Sequence, residues 1–175
     1  MGFGDIQNRV VAELEHGRTK TQIFERLVAE SPAKSATIAY CIAAVPDQEL
    51  RRKYLTHNAI LCVLLVVYAA LNLYNGLPVQ PDEPTLFIAI TTLIPLVFAY
   101  FVFRFHGGVY RLTGIWFSID LLENLLLVGA PDGLAVLELV ALFAIIVLSF
   151  LIARRVFPQL GILGPKKDAM GMYRL

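Results

Sequence analysis

Cysteine, histidine and serine are all scarce in this chain, and each scarcity removes a branch of chemistry. The two cysteines, Cys41 and Cys62, form no CxxC pair and no Cys/His ligand pattern, so they read as small buried apolar side chains. His16, His57 and His106 lie far apart; His106, in a turn flanked by Arg104 and Arg111, is the one placed to respond to pH, although a lone loop histidine is more often plain surface. Of Ser31, Ser35, Ser118 and Ser149, only Ser118 is close in sequence to an acid, and no histidine in the apolar part of the chain is available as its base. GxSxG, the Walker lysine loop, HExxH and GxGxxG are all missing. The expectation is a protein that is not an enzyme, with no cofactor and no resident metal.

Charge imbalance is missing as well. Fifteen Lys and Arg against fourteen Asp and Glu give a formal net charge of +1, without a global pull toward nucleic acid. The polar, charged first fifty residues do not resemble a cleavable signal peptide. "MGFGDI" has Ile6 where a myristoylation signal requires Ser or Thr.

What the chain has in excess is hydrophobicity: 57% of its 175 residues are hydrophobic, which points to the membrane class. Four apolar runs, about 58–74, 84–103, 112–130 and 134–153, approach or reach the roughly 20 residues, range about 17 to 25, that a helix needs to cross the hydrocarbon core. Open strands cannot span lipid. The expected fold is therefore all-α: an integral membrane four-helix bundle (54–155), preceded by a small N-terminal cytoplasmic helical domain (1–53) and followed by a cytoplasmic tail (156–175).

Basic residues set the orientation. Eight of the fifteen precede the first run, Arg104 and Arg111 separate runs two and three, and five follow run four. The other two loops hold Asp82, Glu83 and Asp132 without a basic residue. By the positive-inside rule both termini face the cytoplasm. Without a targeting sequence, and with compact loops, a bacterial inner membrane is the expected location. Arg51, Arg52, Lys53, Arg154, Arg155, Lys166 and Lys167 are candidates for contact with lipid headgroups. Trp116 and Tyr110 resemble interfacial anchors. Gly107-Gly108 marks the inner turn.

Three short helices are expected before the first run. Ile6, Val10 and Leu14 share a face of the first, which stops at Gly17. Thr19 and Gln22 stand at capping-box spacing ahead of a second helix that buries Ile23, Phe24, Leu27 and Val28. Ser31 and Pro32 read as cap and first position of a third, apolar helix ending at Pro46. Asp47 reads as the cap of a helix running into the first span. These proportions suggest helix-turn-helix, yet the third helix carries only Lys34, and the segment has eight basic and seven acidic groups. A duplex binder needs several cations on one face. The third helix fits docking, against its own bundle or a partner, and no nucleic acid is expected.

The stretch "FSIDLLENLLL" (117–127) puts Asp120, Glu123 and Asn124 inside an oily run. Asp120 lies about 12 Å past residue 112 at ~1.5 Å per residue, near mid-membrane. Glu123 lies about two turns from the outer end and Glu138, near the start of run four, about one turn below the outer surface, so the two are within roughly one turn of each other. Asn72 in run one, and Thr91 and Thr92 ahead of Pro95 in run two, lie at similar depth to that pair. Facing inward together, these seven residues would make a polar layer in the outer half of the bundle. Such a layer can act as hydrogen-bond glue or be hydrated, pair with another subunit, share a proton between carboxylates or hold a hard cation. The favoured reading is a non-enzymatic membrane subunit or adaptor: its cytoplasmic helices dock another protein or a second protomer, and its intramembrane acids pack or pair in the assembly. The alternative is a small proton- or cation-conducting protein using those carboxylates.

Overall fold

A computed structural model describes residues 2–76, 85–127, 133–162 and 164–175. Asp82, Glu83 and Asp132, the acidic residues of the two loops expected on the outer side, lie outside the described residues, as does the end of the third apolar run. Among the described residues the chain is all-helical, with eight helices and no strand: α1 (Phe3–Glu15), α2 (Lys20–Glu30), α3 (Ser35–Ala43), α4 (Gln48–Lys53), α5 (Leu55–Asn75), α6 (Thr85–Phe103), α7 (Gly107–Leu127) and α8 (Gly133–Val156). Two of these, α5 and α8, are long and apolar enough to cross a membrane.

The long helices form one packed group. α5 lies against α6 and α8, and α7 lies against α8, while the contact between α6 and α7 is slight. Their shared core is aromatic at its centre: Tyr68 meets Phe117 edge-on at 5.4 Å, and Phe117 meets Phe98 at 5.9 Å. A second core lies among the short helices, where Ile6, Val10, Ile23 and Leu27 are buried with Ile38, Cys41 and Ile42 of α3. The i, i+4 spacing of the first two pairs puts each on one helix face. Val28, expected in this core, is 42% exposed; one position after Leu27, it has turned about 100° away. Phe24 is half-buried and packs on the same core.

α3 is the joint between the cores. Ile38, Cys41 and Ile42 belong to one and Ala43 and Ala44 to the other, and the backbone N–H of Gly107 donates to the Ala44 carbonyl at 3.2 Å. Its apolar surface is therefore used within the chain itself. Burial pushes the Cys41 thiol up to about 11, so it stays protonated and inert near neutrality. Maleimide is expected to leave Cys41 unlabelled at pH 7 until the chain is unfolded; mass spectrometry of the labelled protein checks this.

Four local expectations are corrected. α3 begins at Ser35 with Lys34 in the cap position; Ser31 instead ends α2, and its hydroxyl accepts from the Ala33 N–H at 3.2 Å, a local turn that competes with helix initiation at Pro32. Asp47 stands at the cap of α4 without a side-chain cap bond, because its carboxylate pairs with Lys20 at 3.3 Å. The helix after Asp47 does not run on unbroken; Tyr54 interrupts it at φ −101°, ψ 10°. Gly107 and Gly108 open α7 rather than form the turn before it, and the left-handed position falls on Phe105, at φ 53°. That conformation costs a non-glycine residue on the order of 1 kcal/mol, offset by burial of its ring, which is 4% exposed. The glycines serve close approach instead: a Cβ on Gly107 would lie 2.6 Å from the Phe157 ring, and one on Gly108 2.1 Å from the Tyr40 hydroxyl.

The tail folds back on the short helices, one of its two expected courses. Phe157 and Leu160 are buried, Tyr173 meets Phe24 at 5.7 Å, and Leu175 packs against both cores. The Thr19–Gln22 capping box ahead of α2 is present as expected.

His106 sits where the short helices meet the α6–α7 turn. Its Nδ1 lies 3.4 Å from the Gln7 amide nitrogen, and burial lowers its basicity below the ordinary histidine range. The unfolded chain thus takes up the proton first, so this site's contribution to stability is present above about pH 6.5 and is lost as pH falls toward the lower folded value. Hydrogen-exchange protection around Gln7, taken relative to the intrinsic exchange rate at each pH, is expected to fall below about pH 6 in the native protein, and much less in a His106→Asn variant.

Candidate functional site

Helical geometry decides which polar residues of α7 meet. Phe117, Asp120 and Asn124 recur at i, i+3 and i+7, one face of a helix, and this face turns toward α5. The Tyr68 hydroxyl, on a side chain that is 2% exposed, donates to Asp120 Oδ2 at 2.7 Å. The Asn124 amide donates to Asp120 Oδ1 at 3.2 Å and to the Asp120 carbonyl at 3.0 Å. Both carboxylate oxygens of Asp120 are therefore occupied, one across the bundle and one along its own helix.

Neighbouring helices complete the cluster. Asn72, one turn beyond Tyr68, donates to the Thr91 carbonyl of α6 at 3.2 Å. Glu138 of α8 is half-buried, accepts from the Asn75 amide at 3.3 Å, and lies within interaction range of the Tyr68 hydroxyl and of Asp120. The site thus joins Tyr68, Asn72, Asn75, Thr91, Asp120, Asn124 and Glu138 from all four long helices. Thr92 lies close by in sequence, its hydroxyl buried and without a hydrogen-bond partner among the described residues.

Glu123 is the member that does not join. It is exposed on the flank of α7 that also carries Ile119, Leu122 and Leu126, all uncovered. Asp120 already lies at the edge of the buried face, about 60° round from Phe117, and three more residues carry Glu123 about 60° further in the same sense, off that face.

A second polar knot lies toward the opposite end. Asn58, 3% exposed, donates to the Val102 carbonyl at 3.0 Å and accepts from the Tyr110 hydroxyl at 2.6 Å, which also reaches the Val102 carbonyl at 3.2 Å. Tyr110 is fully buried and is not an interfacial anchor; its ring stacks on Phe157 at 5.4 Å. Trp116, by contrast, is 44% exposed. Neither Asn58 nor Tyr68 stood out in the sequence, and Tyr110 was read only as an interfacial anchor. The available signal was chemical: an amide or a phenol within an aliphatic helix must find a partner when buried.

The seven headgroup candidates, Arg51, Arg52, Lys53, Arg154, Arg155, Lys166 and Lys167, are all exposed. Arg51 lies over the Phe105 ring at 5.5 Å and Lys167 over the Tyr173 ring at 4.9 Å. Among the described residues, no group of three or more His, Cys, Asp or Glu side chains is placed to share a metal ion.

Tyr68→Phe is expected to cost about 1–2 kcal/mol, the upper range for a side-chain hydrogen bond between membrane helices, by removing the donor to Asp120. Glu123→Gln should stay within about 0.5 kcal/mol, as for other exposed positions. Unfolding in mixed detergent micelles, with an Asp120→Asn double-mutant cycle, measures both.

No protein-family model, curated protein or solved structure matches the chain.

Proposed function

We propose that this chain is a non-enzymatic integral membrane subunit or adaptor, with four helices crossing the bilayer and both termini in the cytoplasm of a bacterial cell. Two features support the membrane reading. In both α5 and α8 only 28% of the most apolar 18-residue window is buried within the molecule, whereas the central helix of a soluble protein is covered by its own chain. The complete absence of Lys and Arg from the segments between α5 and α6 and between α7 and α8 supports the orientation.

The observation that carries the adaptor reading is the division among the acids. Asp120 and Glu138 have partners on neighbouring helices and act as contacts within the bundle, while Glu123 faces outward among leucines. An outward carboxylate on an apolar flank fits a protein surface that supplies a donor or a cation. On the cytoplasmic side α3 is consumed by its own chain, so docking falls to the outward faces of α1 and α2. There Arg9, Arg18, Arg26, Glu13 and Glu30 form a surface ion-pair network.

Affinity purification in a mild detergent tests this reading: a stoichiometric partner or a defined oligomer is expected, lost with Glu123→Lys and largely kept with Glu123→Gln. A wild-type protein that runs as a lone monomer would sink the reading. The alternative, proton or cation conduction, draws on one observation, the convergence of Tyr68, Asp120 and Glu138. Proteoliposome flux under proton, sodium and potassium gradients, abolished by Asp120→Asn with Glu138→Gln, would establish it instead.

A further inference from the structure

A cavity of about 110 Å³ opens between α1, the α3–α4 connection and the α6–α7 turn. Arg51 of α4 and Arg104 beyond the end of α6 both line it, with Gln7 and Gln48 beside them, Phe105 among the walls and Glu15 as the acidic member. Arg51 is held over the Phe105 ring at 5.5 Å and Arg104 over the Tyr100 ring at 5.2 Å. Among the described residues neither guanidinium has a carboxylate partner, although Arg9, Arg18 and Arg26 all do. Two cations from separate elements are thus stacked on aromatic rings around one cavity, and their donors are not taken up by an acid.

We infer that this cavity binds a phosphodiester, as carried by a phospholipid headgroup. Guanidinium forks match phosphate oxygens, and stacking on a ring restricts the fork before the ligand arrives. Gln7 and Gln48 add neutral amide donors, which favour an anion without adding charge. Two arginines against Glu15 leave one net positive charge, suited to a singly charged diester better than to a doubly charged monoester. The place also fits: on the topology proposed above, on which this inference rests, Arg51 and Arg104 stand where α5 and α6 meet the inner headgroup layer. Arg52 and Lys53 share α4 with Arg51 but line a different depression, which separates a built site from general attraction between a basic helix and an anionic surface.

The test is native mass spectrometry of the full chain released from nanodiscs of phosphatidylglycerol mixed with phosphatidylcholine. The wild type is expected to retain phosphatidylglycerol. Arg51→Gln and Arg104→Gln should each reduce retention about fivefold, equivalent to about 1 kcal/mol. Arg52→Gln and Lys53→Gln should leave it within about twofold, a change below about 0.5 kcal/mol. A parallel arm adds glycerophosphoglycerol, the same diester without acyl chains, to lipid-stripped protein. Binding there, lost with the same two variants, keeps the phosphodiester and makes its source soluble. Equal retention in all variants, or equal losses from all four, overturns the inference. Because Glu123 is not among the altered residues, that failure leaves the partner-capture result untouched.

Discussion

Phe157→Ala is expected to be the most destabilising single truncation in this chain, at about 3–5 kcal/mol. Phe157 follows α8 directly, is 1% exposed, and stacks on Tyr110 at 5.4 Å with 27° between the ring planes. Tyr110 in turn holds Asn58, so the ring supports the buried knot that joins α5, α6 and α7. Removing it loses aromatic burial, leaves a cavity beside Gly107, and frees Tyr110 to move away from Asn58. Thermal unfolding in detergent, followed by loss of the monodisperse species, should show a large drop in midpoint. Hydrogen exchange should rise at Val109 and Tyr110 before it rises at Tyr68. A drop no larger than that of an exposed control such as Phe143→Ala would contradict this account.

Gly107→Ala is expected to destabilise by about 1–3 kcal/mol, the range for overpacking a filled core, against the usual direction of a glycine-to-alanine change in a helix. The new methyl would meet Phe157 at 2.6 and 2.8 Å and Leu160 at 2.9 Å. Both neighbours are 1% exposed, so neither has open space to retreat into. Gly107 is the first residue of α7, where the helix-propensity gain from alanine is small. The control is Gly4→Ala in α1, where a Cβ meets nothing within 4 Å; that change should be neutral or stabilising by up to about 1 kcal/mol. The two predictions are also coupled. In Gly107→Ala with Phe157→Ala, the methyl enters the space that the ring vacates, so the combined loss should be smaller than the sum of the two. Strict additivity would mean that the two side chains do not share that space.

The same local geometry shows how far the sequence could be read. Ile6 with Val10, and Ile23 with Leu27, identified the faces of α1 and α2, because a burial stripe at helical spacing needs no knowledge of what covers it. The Thr19–Gln22 box was legible for a similar reason: both of its partners lie within one turn. Ser31 was misread because its hydroxyl had two local uses, and it takes the turn to the Ala33 N–H rather than the cap of α3. Glu123 and Asp120 show the limit most sharply. They are three residues apart, carry the same chemistry and lie in the same apolar run, and only one of them is turned toward Tyr68.

By itself, then, the sequence determined the helical class, the run lengths, the confinement of Lys and Arg to three segments of the chain, and the apolar faces of the two amphipathic N-terminal helices. Each of these depends on composition or on spacing within a single helix. Only the tertiary structure decided which polar groups meet: Tyr68 with Asp120, Asn58 with Tyr110 and Val102, Asn75 with Glu138, and Arg51 with Arg104 around one cavity. Those pairings join residues that are mostly more than forty positions apart. They depend on the rotation of each long helix about its own axis, and in helices that are apolar nearly all round the sequence pattern carries little record of that rotation.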